Sequence, residues 1–148
     1  MANPPGAVLF ACTMNTVRSA MAEGIMKSLH GHHVYVDSVG VRAGEPDGFM
    51  IQVMDEIGID MSGHSAKSFA ELEDTSYDLV LSLSPEAQHS AVELTRTMAI
   101  EVEYWATFDP TVIEGSREVR LDAYRQVRDE LRRRLAEKFP THVPADTK

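Results

Sequence analysis

The chain has 148 residues, 43% of them hydrophobic, a net charge of -9 and one cysteine. That length and apolar content build a single domain with its own core, and one cysteine rules out an internal disulfide. The charge is uneven: residues 1–116 carry 5 basic and 17 acidic side chains and residues 117–148 carry 9 and 6, an acidic body that argues against nucleic acid as a partner.

In chain order, residues 1–6 (MANPPG) lack the basic and apolar segments of a secretory leader and are expected without fixed structure. No apolar run reaches the length of a membrane span, so no membrane partner and a cytoplasmic location are expected. Val8, Leu9 and Phe10 make the unbroken apolar run of a strand buried on both faces. Ala20 to Leu29 is helix-forming, with Met21, Ile25, Met26 and Leu29 apolar, which puts Cys12 at a strand end and Ser19 near a helix start. Gly31 marks the helix exit, and His33 to Ser38 alternates as a second strand. His30, His32 and His33 cluster there without acidic or thiol ligands nearby in sequence, and no metal or other cofactor is expected. Val39 to Gly48, with its glycines and Pro46, reads as a loop. Phe49 to Ile57 reads as an amphipathic helix with Ile51, Val53, Met54 and Ile57 inward and Gly58 as its stop. Ile59 to Ser65 connects, and Lys67 to Leu72 suits a short helix. Tyr77 to Leu83 is the third strand, after which Ser84 caps and Pro85 opens a helix over Glu86 to Thr95. Ala99 to Trp105 is the fourth strand, leading into a loop with Thr107, Phe108, Asp109 and Pro110. Glu118 to Phe139 is a long helix with Val119, Tyr124, Val127, Leu131 and Leu135 inward, its arginines alternating with acids as a solvated face, and residues 140–148 form a frayed tail. Strands alternating with helices predict an α/β fold: a small doubly wound four-stranded parallel sheet flanked by helices on both faces.

The first strand–loop–helix carries the chemistry. A turn between the carboxyl end of a parallel strand and the next helix gathers backbone N–H groups at the positive helix end, a place for an oxyanion. A cysteine at the front of such a turn is held as a thiolate and serves as a nucleophile, and the planar fork of Arg18 suits two oxygens of a tetrahedral oxyanion. Asp109 falls at a strand's carboxyl end, on the same sheet edge as Cys12, where an acid would protonate a leaving alcohol.

These residues, with CTMNTVRSAMAE, SVGVRAGEP, VMDEIGIDMSGHSAKS, DLVLSLS, WATFDP and QVRDELRRRL, resemble the low-molecular-weight protein tyrosine phosphatase family over nearly the whole chain, and within it the branch of thioredoxin-coupled arsenate reductases. The resemblance implies Cys12 as nucleophile and Asp109 as general acid. It implies an oxyanion cradle of Thr13, Met14, Asn15, Thr16, Val17, Arg18 and Ser19, with Asn15 holding the loop's shape and Ser19 steadying the thiolate. Met14 stands where the family has glycine, Val17 where a second loop cysteine is common, and Thr111 and Val112 where aromatic residues wall phosphotyrosine. Ser84 stands where the reductases carry a resolving cysteine, so arsenate reduction would need an external thiol. In some of those reductases potassium sits among the matches of Asn15, Glu23 and Ser38 and an aspartate whose place Lys67 takes; the expectation is that the ammonium replaces the ion. Three functions follow. The first is a cysteine-dependent phosphomonoester hydrolase acting on a phosphorylated protein or small phosphomonoester. The second is an external-thiol arsenate reductase, and the third a catalytically weak module that senses phosphate or a phosphoprotein.

Overall fold

In the computed structural model, residues 5–72 and 76–141 are described. Four parallel strands, β1 (Ala7–Cys12), β2 (Tyr35–Gly40), β3 (Leu79–Ser82) and β4 (Glu101–Tyr104), form one sheet in the order β2-β1-β3-β4. The helices are α1 (Arg18–His30), α2 (Gly48–Asp55), α3 (Pro85–Leu94) and α4 (Arg117–Lys138), with single 3-10 turns at Phe69–Glu71 and Pro110–Val112.

β1 is central, and its side chains alternate between two cores. Val8 and Phe10 pack with α1, α2 and α4, while Leu9 and Ala11 pack with Ala87 and Ala91 of α3. A strand covered on both faces must read as a continuous apolar run, and this one does. Truncating the fully buried Phe10 to alanine is expected to cost about 3–5 kcal/mol.

Several boundaries move for physical reasons. β2 begins at Tyr35 rather than His33, because the chain makes one more turn after α1, with His33 and Val34 N–H donating to the His30 carbonyl. The third and fourth strands shorten to four residues each, the length over which β3 pairs with β4. α2 ends at Asp55 and Gly58 follows at φ 80°, a left-handed turn that suits glycine. Its buried stripe is Met50, Val53 and Met54; Ile51 and Ile57 are only half-buried. The short helix expected over 67–72 is the 3-10 turn Phe69–Glu71, closed by a reciprocal Ser68–Glu71 capping box.

The clearest correction is on α4. Val119 is 52% exposed, and Leu121 takes the inward place, in a stripe with Tyr124, Arg128, Leu131 and Leu135. The solvated arginine face is as expected in part, with Arg133 between Glu130 and Glu137, but Arg125 and Arg128 cross to Glu56 beyond α2. The expected flexible lead-in at 1–6 and tail at 140–148 fall mostly outside the described residues. No helix among the described residues is long and apolar enough to cross a membrane.

Candidate active site

β1 has β2 on one side and β3 on the other, so its carboxyl end opens at the point where the chain reverses its direction of travel across the sheet. That crevice is where open α/β sheets bind ligands. Cys12 closes β1, Arg18 opens α1, and residues 13–17 turn between them. The residue before α1 is Val17, buried and without a side-chain acceptor, so the helix has no side-chain cap from its N-cap residue. Uncapped amides at a positive helix end are donors available to an anion.

The Cys12 sulfur lies at the floor of this loop, with the residue only 2% exposed. It receives the Asn15 N–H at 3.3 Å and the Ser19 N–H at 3.4 Å, and lies 3.0 Å from Ser19 Oγ. Ser19 Oγ already accepts from Asn15 Nδ2 at 2.8 Å, which leaves its own proton for the sulfur or the Val39 carbonyl. Two backbone N–H donors thus converge on the sulfur, with the Ser19 hydroxyl in hydrogen-bond range as a third partner.

Asn15 sets the loop's shape. It is the single non-glycine residue with positive φ, 59°, among the described residues, and it is fully buried. Its Nδ2 donates to Ser19 Oγ and, at 2.9 Å, to Ser38 Oγ, and its Oδ1 accepts the Lys67 N–H at 3.0 Å. Met14, the residue of concern at a glycine position, has ordinary φ and is 40% exposed at the mouth. The strain sits one residue later, on the residue type that best tolerates it. The segment after β2 grips the loop from outside: Val41, Arg42 and Gly44 N–H groups donate to the carbonyls of Cys12, Thr13 and Met14. At Gly40 a Cβ would meet the Arg42 oxygen at 2.5 Å and the Asn15 nitrogen at 2.7 Å, so the close approach requires glycine.

His64 is the functional neighbour that sequence reasoning missed. Its Nε2 donates to the Asn15 carbonyl at 2.7 Å, which turns Nδ1 toward Glu23 Oε1, 3.9 Å away. Only the motif GHSAKS hinted at it; 49 residues separate it from its partner. The Lys67 ammonium pairs with Asp37 at 2.6 Å instead of entering the Asn15, Glu23 and Ser38 cluster. There Ser38 Oγ donates to Glu23, whose other oxygen meets Lys27 at 2.5 Å. With these oxygens engaged and both carboxylates paired, the residues do not fit a bound potassium ion. His30 spends its Nε2 proton on the Phe139 carbonyl, at 2.6 Å.

Asp109 is brought to the loop. Its Oδ2 lies 3.8 Å from Arg18 Nη2, and its Oδ1 accepts from Thr111 N–H and Oγ1 at 3.0 and 2.7 Å, which fixes the carboxyl at the start of the Pro110–Val112 turn. Arg18 also donates to the Thr107 carbonyl at 3.2 Å, tying α1 to the loop after β4. Ser84 touches the site as well: Thr13 Oγ1 donates to Ser84 Oγ at 3.0 Å, so the residue after β3 is within reach of the loop but bears a hydroxyl. Phe108, beside Asp109, is 56% exposed.

This geometry has relatives. A Bacillus subtilis (strain 168) arsenate reductase is 31% identical over 130 residues, covering 88% of this chain and 92% of that protein. The solved low-molecular-weight protein tyrosine phosphatase from T. tengcongensis superposes with a TM-score of 0.72 at 31% identity, covering 89% of this chain and 98% of that one. The YwlE arginine phosphatase, solved with a phosphorylated active-site serine, superposes at 0.68 with 28% identity over 89% and 94% of the two chains. Residues 7–145 match the family described as low molecular weight phosphotyrosine protein phosphatase, and the chain belongs to that family.

Proposed function

We propose that this protein is a cysteine-dependent phosphomonoester hydrolase, and the observation that carries the reading is the Cys12 sulfur beneath two backbone donors and beside the Ser19 hydroxyl, with the Arg18–Asp109 pair at the mouth. The phosphoryl group settles on the loop amides of residues 13–19 with two of its oxygens on the Arg18 fork. The Cys12 thiolate attacks phosphorus in line; a P–S bond forms as the P–O bond to the leaving group breaks, and Asp109 gives that oxygen its proton. Water then attacks the phosphocysteine, Asp109 takes the water's proton, and the P–S bond breaks to return the thiolate and release phosphate. The substrates are phosphorylated proteins or small phosphomonoesters. A nucleophile that must stay a free thiolate suits a reducing compartment, the cytoplasm.

A second reading, arsenate reduction, draws on the arsenate reductases among the relatives. With one thiol in the chain, an external thiol must supply the electrons by attacking the Cys12–arsenate adduct, releasing arsenite and leaving a mixed disulfide for a further thiol to resolve. A side-by-side assay separates the readings. Turnover of p-nitrophenyl phosphate, lost in Cys12→Ser, is expected; full activity in that variant ends the phosphatase reading. Arsenate-dependent consumption of a thiol reductant without phosphatase turnover would favour the second, and tight vanadate binding with neither activity would favour a phosphate sensor.

A further inference from the structure

We propose that Arg117 and Arg120 form an anion-reading rim beside the mouth, which binds a carboxylate-bearing segment of a protein substrate flanking its phosphorylated residue; this specificity rests on the phosphomonoesterase reading above.

Seven of the ten arginines sit in salt-bridge range of a carboxylate. Among the described residues Arg117, Arg120 and Arg134 form no ion pair, in a chain of net charge -9; Arg134 lies over the Trp105 ring, 4.4 Å from its centroid, in the last two turns of α4. Arg117 and Arg120 are exposed, and they share one ring: their guanidinium carbons lie 5.3 and 4.7 Å from the centroid of Phe49, with Arg117 also donating to Gln52 at 2.5 Å. They occupy the first and fourth positions of α4, at the positive end of a 22-residue helix where basic groups are disfavoured. The acid between them, Glu118, is turned to Arg125. Two like charges on one aromatic ring, against the helix dipole, mark a local electrostatic conflict of the kind found where a ligand supplies the missing charge.

A chain of contacts links the rim to the mouth. Phe49 packs edge-on against Tyr124, 5.5 Å between centroids, and the Tyr124 hydroxyl donates to Asp47 at 2.7 Å. Asp47 follows by three residues Gly44, where a Cβ would lie 3.1 Å from both Met14 and Thr16 of the loop. From the other side, the turn that begins at Asp109 packs on α4. The Tyr124 hydroxyl feels Arg120 and Asp109 together, the first lowering and the second raising its pKa, while burial, first, and then Asp47 hold it well above the ordinary phenol value. An extended peptide advances about 3.3–3.6 Å per residue, so a few residues beyond the phosphorylated one bring a carboxylate onto the two forks.

The test compares two phosphopeptides that differ only in Glu against Gln flanks, with p-nitrophenyl phosphate as the control. The acidic peptide should be preferred in kcat/KM by about threefold to tenfold at low salt, the return of two exposed ion pairs. In R117Q/R120Q that preference should vanish while p-nitrophenyl phosphate turnover and melting temperature hold. Equal rates on both peptides in the parent, or a preference intact in the double variant, overturn the proposal. If the double variant does not fold, R120Q alone and loss of the preference in 0.5 M NaCl decide it. If the parent hydrolyses neither peptide nor aryl phosphate, the phosphatase reading has failed instead, and anisotropy with the same peptides still judges the rim: tighter acidic binding, lost in R117Q/R120Q, supports it, and equal binding ends it.

Discussion

Replacing Asn15 by alanine tests whether the loop is held in shape by one side chain. The substitution deletes three hydrogen bonds, to Ser19 Oγ, Ser38 Oγ and the Lys67 N–H, at 2.8, 2.9 and 3.0 Å, and leaves an alanine at φ 59°. At about 1 kcal/mol per bond, and about 1 more for the left-handed backbone, the loss comes to roughly 4 kcal/mol. Against the ~5–15 kcal/mol total of a domain this size, that is a large fraction. Urea unfolding followed by the fluorescence of Trp105, the lone tryptophan, reads it as a midpoint lowered by about 2 M for a slope near 2 kcal/mol/M. Asn15→Gly provides the internal control: it loses the same bonds but not the strain, and should be more stable than the alanine variant by about 1 kcal/mol. A loss below about 1 kcal/mol in alanine, or equal stability of the two variants, would show that the β2-side segment and His64 hold the loop without Asn15.

Asp109→Asn should slow hydrolysis of a phosphomonoester with a poor leaving group by about 10²–10⁴, and of p-nitrophenyl phosphate much less, as a Brønsted plot over phenol pKa will show. Gly40→Ala drives a methyl into backbone at 2.5 and 2.7 Å and should cost about 2–3 kcal/mol, visible as a melting temperature lower by several degrees. Glu56 is held down to about 2 from 4.5, chiefly by its bonds from Arg125 and then Arg128. A depressed carboxyl contributes stability that is present above about 4.5 and lost as pH falls toward about 2. The stability gap between the parent and Glu56→Gln should therefore close across that window in acid denaturation; a gap constant with pH would assign the effect elsewhere.

What the sequence made legible follows from how local each cause is. Val8 to Phe10 announced a two-faced strand because burial on both sides leaves no room for a polar residue, and Cys12 with Arg18 followed from the strand-to-helix turn. Asp109 was placed because every strand's carboxyl end opens on one edge of a parallel sheet. Val119 misled because α4 is so charged that its apolar stripe runs through Arg128, a long stem whose head leaves for the Val53 carbonyl and Glu56. The grip of His64 on Asn15 and the convergence of Arg117 and Arg120 on Phe49 arise from tertiary closure, which no local spacing encodes.

That a hydroxyl, accepting from Thr13, stands at position 84 carries a consequence for redox damage. If peroxide converts the sulfur of residue 12 to a sulfenic acid, its nearest side-chain neighbour is the alcohol of Ser19, and no second thiol exists in the chain to trap the oxidised form as a reversible disulfide. Recovery then depends on a small-molecule thiol arriving before a second oxidant does, and the pool of such thiols sets how long the protein survives oxidative stress.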